Sequence, residues 1–164
     1  MTIEVRVEAA GAGVPAVEYR WDVETDILTA SITLAGARVS EASTVEVEGR
    51  DGSWLSLGVN GGRLVGVAVA VWPEVRTRAA LVPPAGAAPG AVILGAGVPG
   101  EVEIALTAES DEAEEVIYFR VGTNRVTRAV QVGRDLVVDL DRQQRIAGLW
   151  LLNVPPFPSI PTAP

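Results

Sequence analysis

Asp139 and Asp141, two carboxylates two residues apart, are the best-spaced candidates for chemistry in this 164-residue chain. Their setting, Asp135-Leu136-Val137-Val138-Asp139-Leu140-Asp141, reads as a strand, so both side chains fall on one face beside a turn. Such a pair could hold Mg²⁺ or Ca²⁺, or activate water. Catalysis by it would need raised or shared protons in a cleft. A solvated strand face is the plainer expectation, because lone carboxylates ordinarily stay at the surface. A denser acidic cluster, Glu109, Asp111, Glu112, Glu114 and Glu115, lacks the glycine and spacing of an EF-hand loop and reads as a solvated loop.

Other reactive groups are scarce. Cysteine and histidine are absent, and all 13 basic residues are arginine. That removes thiol chemistry, the Ser-His-Asp triad, histidine metal ligands, Schiff-base lysines and the Walker lysine. No cofactor or metal is expected. Gly95-Ala96-Gly97-Val98-Pro99-Gly100 is formally GxGxxG, but Glu101-Val102-Glu103-Ile104 continues it as a strand. The motif binds dinucleotides only ahead of a helix, so a turn is expected. The net charge of −8 divides evenly, −4 on residues 1–82 and −4 on 83–164, with no basic stripe. This argues against nucleic acid and anionic membrane as partners.

Aromatic residues and prolines supply the remaining candidates. Trp54 and Trp150 are expected in the core. Trp21, between Arg20 and Asp22, is the tryptophan best suited to a ligand or partner patch. Pro155, Pro158, Pro161 and Pro164 recur every third residue, which suits an extended polyproline tail. With Phe157 and Ile160 between the P-x-x-P frames, Phe157, Pro158 and Pro161 could dock in a partner's groove. A tail resting on its own domain is the plainer reading.

The elements that must position these residues are strands. Ile3, Val5 and Val7 alternate with charges, as do Val45 and Val47, and Val102 and Ile104. Ile27 to Leu34 and Val116 to Val121 are rich in β-branched or aromatic residues. Trp54 to Val59 leads into Asn60-Gly61, a type I′ turn signal, and Leu136 to Asp141 leads into Arg142-Gln143-Gln144. Leu64 to Trp72 and Ile146 to Val154 are apolar almost throughout and should be covered on both faces. Thr107 to Glu115 could form a helical turn or two.

The chain also says much twice. Gly11-Ala12-Gly13-Val14-Pro15 returns as Gly95-Ala96-Gly97-Val98-Pro99, an offset of 84. Arg63-Leu64-Val65-Gly66-Val67 matches Arg145-Ile146-Ala147-Gly148-Leu149 at an offset of 82. Gly66 and Gly148 suggest a bulge or close backbone approach, and a place where the two copies meet. Val17-Glu18 matches Val102-Glu103 at 85, and on that offset Trp21 matches Leu106; on 82, Trp54, Trp72 and Trp150 match Leu136, Val154 and Ala68, and Asp139 and Asp141 match Leu57 and Val59. Size complementation between copies would fill one shared core.

The expectation is all-β: two tandem antiparallel repeats forming one pseudo-two-fold sandwich or barrel-like body. Residues 1–82 and 91–154 are the repeats, 83–90 a Pro/Gly/Ala linker and 155–164 an extended tail. The opening strand pattern has no charged or apolar leader, and the longest apolar run is too short for a membrane helix, so a cytoplasmic location is expected.

Asp135 to Asp141 followed by Arg145-Ile146-Ala147-Gly148-Leu149 resembles a small uncharacterised bacterial domain-of-unknown-function family with an h-h-h-D-x-D strand, a turn and h-h-G-I-E-h. Glu115-Val116-Ile117-Tyr118-Phe119 resembles that family's upstream strand, and Asp26-Ile27-Leu28 its counterpart in the first copy. The family's turn glycine is missing in the second copy, and its glutamate is Trp150 here or Ala68 in the first copy. The resemblance implies a small self-associating β-domain, with no activity to transfer; genes of this type sometimes neighbour toxin-like genes. Together the residues favour a non-catalytic interaction or structural protein that binds another protein or itself. A small-ligand-binding β-barrel and a carboxylate-based metal-dependent enzyme are the alternatives.

Overall fold

The computed structural model describes residues 2–11, 13–34 and 42–158, and the protein is all-β. Its strands are β1 Val5–Ala9, β2 Val17–Asp22, β3 Ile27–Ile32, β4 Ala42–Glu48, β5 Trp54–Asn60, β6 Arg63–Val71, β7 Val75–Thr77, β8 Ala88–Leu94, β9 Glu101–Glu103, β10 Leu106–Ser110, β11 Ile117–Val121, β12 Val126–Gly133, β13 Leu136–Asp141 and β14 Ile146–Leu151. They join one curled, half-barrel sheet whose main path runs β7-β10-β11-β14-β13-β12-β8-β6-β5-β4-β9. The antiparallel partners run β2-β3-β6-β5-β4 in one arm and β10-β11-β14-β13-β12 in the other.

Alternation explains each arm. In β5, Leu55, Leu57 and Val59 are buried, while Trp54, Ser56, Gly58 and Asn60 face outward. The inward residues of both arms, among them Val67, Val69, Phe119, Val138 and Leu149, share one hydrophobic core. The β5–β6 hairpin turns at Gly61 and Gly62, both at positive φ, between the paired Asn60 and Arg63. The turn therefore lies one residue beyond Asn60-Gly61, where glycine accepts the left-handed backbone.

The arms are tied together away from Gly66 and Gly148. β1 lies antiparallel on β8, with Val5 opposite Leu94. The Val5 N–H donates to Gln144 O (2.9 Å), and the Leu94 N–H donates to Gly62 O (2.8 Å), so each strand also caps the other arm's hairpin. Gly66 instead packs within its own arm, where an added Cβ would lie 2.9 Å from Ala30 O. Gly148 lies under the Tyr118 ring of its own arm.

The two apolar strands differ from expectation in one respect. β14 is buried on both faces, because Leu81 closes a second small cluster over Val137 and Trp150. β6 is buried on one face only; Val65, Ala68 and Ala70 stay half-buried. The chain crosses to the second arm between β6 and β7, which pairs with β10, and Leu81 beyond it packs on that arm. β8 begins at Ala88, inside the stretch read as linker. Residues 107–115, which offered at most a turn or two of helix, form β10 and a turn, since Leu106, Ala108 and Ser110 alternate into the core side. The glycine-rich 95–100 stretch is a loop leading into β9, not into a helix.

Candidate functional site

Three aromatic side chains from three separate segments meet between the arms. Trp21 is the last but one residue of β2, whose alternation turns Val17, Tyr19 and Trp21 toward the core. Trp72 follows β6, just before Pro73. Phe157 comes from the C-terminal tail. Trp21 and Trp72 stack with centroids 5.8 Å apart and planes at 18°; Phe157 meets Trp21 edge-on at 5.2 Å. Below them Trp72 rests on the buried Phe119, at 5.9 Å.

Hydrogen bonds fix the rings. The Trp21 indole N–H donates to Pro155 O (2.9 Å), and that of Trp72 donates to Asp26 O (2.8 Å). Each indole thus has a polar partner, leaving its carbon surface for contact. Asp26 sits in the β2–β3 turn. The Asp22 carboxylate accepts from the Glu24 and Thr25 N–H groups (3.0 and 3.4 Å), and the Glu24 bond is the main force holding its proton affinity below the usual range. Across the cleft, Asp111 Oδ1 accepts from the N–H groups of Glu115 and Val116 (2.9 and 3.1 Å) and shapes the β10–β11 turn. Asp26 and Glu114, one in each turn, both have left-handed backbone, φ 61° and 57°. For glutamate that conformation costs free energy which the surrounding turn must offset.

Together these groups line a cleft of about 600 Å³. Its walls are Trp21, Trp72, Val75, Ile117, Val154 and Phe157; Asp26, Glu114 and Glu115 stand on its rim, and no arginine lines it. Such a cleft can hold a flat or branched apolar group.

The aspartate pair has a different role from either sequence expectation. Asp139 and Asp141 are each only 4% exposed, not on a solvated face. Asp141 serves the β13–β14 turn. Its Oδ1 accepts from the N–H groups of Gln143 and Arg145 (2.9 and 3.0 Å), and its Oδ2 accepts from Arg145 Nε (2.8 Å) and Asn124 Nδ2 (3.1 Å). Burial opposes its charge, but the Arg145 N–H and guanidinium and the Gln143 N–H more than offset this and lower its pKa. Asp139 lies under Trp150, whose indole N–H donates to its Oδ2 (3.0 Å). Its Oδ1 is buried without a hydrogen-bond partner. Burial dominates there and raises its pKa, against the Trp150 bond. The two carboxylates line separate hollows. Among the described residues, no three Asp or Glu side chains gather in a metal-ligating arrangement.

Of the other candidates, Trp21 and Phe157 meet in the cleft, and Pro158 is exposed beyond it. Pro161 lies outside the described residues. Trp54 is a correction: it is 41% exposed on the outer face of β5, its indole N–H on the Glu46 carboxylate. Trp150 is buried, but in the small cluster under Leu81. Trp72 and Asp26 were not singled out for the site. The signal available for them was a tryptophan closing a strand just before proline, and an Asp22–Asp26 turn directly after Trp21.

No protein-family model matches the chain, and no curated protein matches it significantly. Among the described residues, no helix is long and apolar enough to cross a membrane.

Proposed function

We propose that this is a non-catalytic binding protein, made from a duplicated β unit, that holds a ligand or partner group in the cleft between its arms. The observation that carries this reading is the convergence of Trp21, Trp72 and Phe157 on one open, carboxylate-rimmed space. A non-catalytic role is supported by the use of the two best-placed carboxylates: Asp141 clamps a turn and Asp139 is sealed under Trp150.

Strand register supports the duplication. Ala30 pairs Val67 as Phe119 pairs Leu149, and Ser31 pairs Gly66 as Arg120 pairs Gly148. By these registers the offset is 82 in β6 and β14 but 89 in β3 and β11. Trp21 then corresponds to Ser110 rather than Leu106, and Asp139 to Gly58 rather than Leu57. The crossed hydrogen bonds of Val5 and Leu94 suit an approximate two-fold axis beside that pair. The cleft lining falls into matched couples: Trp21 with Ser110, Trp72 with Val154, and Val75 with Phe157. One unit supplies bulk where the other is small, so divergence between copies opens an asymmetric space on a symmetric frame.

A tryptophan-fluorescence screen of small aromatic and aliphatic molecules tests the reading, with Trp72→Leu as comparison. The reading expects binders whose signal is lost in the variant. Binders that respond equally in Trp72→Leu, or a screen in which no molecule perturbs the wild-type protein, would overturn it.

A further inference from the structure

Granting the cleft its binding role, we propose that its ligand is an organic cation of the alkylated-ammonium kind. The walls and rim point the same way. Trp21, Trp72 and Phe157 line the space, and the negative quadrupole of an aromatic ring attracts a cation within about 6 Å. Asp26, Glu114 and Glu115 add carboxylates on two opposed turns, and none of the three is in an ion pair among the described residues. No basic side chain lines the space to compete, and the chain as a whole carries −8. An anion would meet only repulsion here.

The kind of cation follows from what the cleft lacks. A bare metal ion needs about six oxygens at bonding distance, and aromatic walls provide none. A guanidinium binds best through a planar, two-point carboxylate fork, whereas these carboxylates stand on separate rim turns. An alkylated ammonium needs no directed hydrogen bond and presents methyl groups to the rings. The cleft, about 600 Å³, also exceeds one such head group and leaves room for the body that carries it. That body can be a free small molecule or a methylated lysine of a peptide.

The test uses the whole protein and three probes: choline, its neutral isostere 3,3-dimethylbutan-1-ol, and a short trimethyllysine peptide. Two-dimensional NMR follows the four indole N–H signals. The Trp21 and Trp72 signals should shift with choline or with the peptide, while Trp54 and Trp150 stay still. The cation should bind at least about tenfold more tightly than the alcohol, a difference of about 1.4 kcal/mol, and added salt should weaken only the charged probe. The triple variant Asp26→Asn, Glu114→Gln, Glu115→Gln should lower cation affinity several-fold and leave the alcohol unaffected. Tighter binding of the peptide would assign the cation to a protein partner; tighter binding of choline would assign it to a free metabolite. Equal affinity for choline and the alcohol would overturn the cationic assignment and leave the cleft an apolar site. Silence of Trp21 and Trp72 toward every probe would overturn it too, and the fluorescence screen then decides the cleft by itself.

Discussion

The Trp150 indole N–H ends on Asp139 Oδ2, 3.0 Å away, on a carboxyl group whose other oxygen meets no partner. Tyr118 stacks on the same indole, centroids 4.3 Å apart, and Leu81 closes the cluster. Burial raises the Asp139 pKa and, with the nearby Asp139 charge, that of Tyr118. The native state therefore binds the Asp139 proton more tightly than the unfolded state does. As pH rises from the unfolded value through the raised native value, stability falls, and above that value the loss is complete.

Asp139→Asn keeps an acceptor for Trp150 and removes the buried charge. The variant should be more stable than wild type at neutral pH, by about 1–3 kcal/mol, and lose less stability as pH rises through the acid range. Urea denaturation at several pH values checks this. A variant less stable at every pH would contradict it.

Gly58 and Gly66 are cross-strand partners with opposite tolerance. A Cβ at Gly66 would lie 2.9 Å from Ala30 O, a backbone atom that cannot swing away, whereas at Gly58 the nearest atom is 3.6 Å off. Gly66→Ala should cost about 1–3 kcal/mol. Gly58→Ala should be close to neutral in thermal melts.

Strand identity was legible from alternation, and what covers each strand was not. Leu64 to Trp72 and Ile146 to Val154 have the same apolar run, yet only β14 is sealed on both faces. The cover is Leu81, which follows β6 in the chain but lands on the second arm, beyond the crossing that pairs β7 with β10. No local pattern encodes that crossing. Trp54 and Trp150 separated for the same reason: both face outward, and only Trp150 gains a cover. The aspartates were misjudged because alternation tells which face a carboxylate takes, and not that Gln143 and Arg145 fold back onto Asp141 or that Trp150 covers Asp139.

Leu81→Ala should therefore act on the second arm. It should cost about 2–5 kcal/mol and red-shift the emission of Trp150, while leaving ligand binding at Trp21 and Trp72 intact. An unchanged Trp150 signal would contradict the assignment of Leu81 as its cover.

Phe157 and Phe119 flank the tryptophan pair from opposite sides, one 44% exposed and one fully buried. Phe119→Ala should cost about 3–5 kcal/mol. Phe157→Ala should cost only about 1 kcal/mol, the value of an edge-on aromatic contact, and should weaken cleft ligands beyond that loss of stability. Equilibrium unfolding and ligand titration of both variants separate these effects.

A crystal structure after soaking with small aromatic and alkylammonium fragments bears most directly on the central claim. The account predicts fragment density between the Trp21 and Trp72 rings and the turns bearing Asp26 and Glu114, and its absence in Trp72→Leu crystals. A space between the arms filled by the protein's own side chains, or fragments bound only elsewhere, would contradict it.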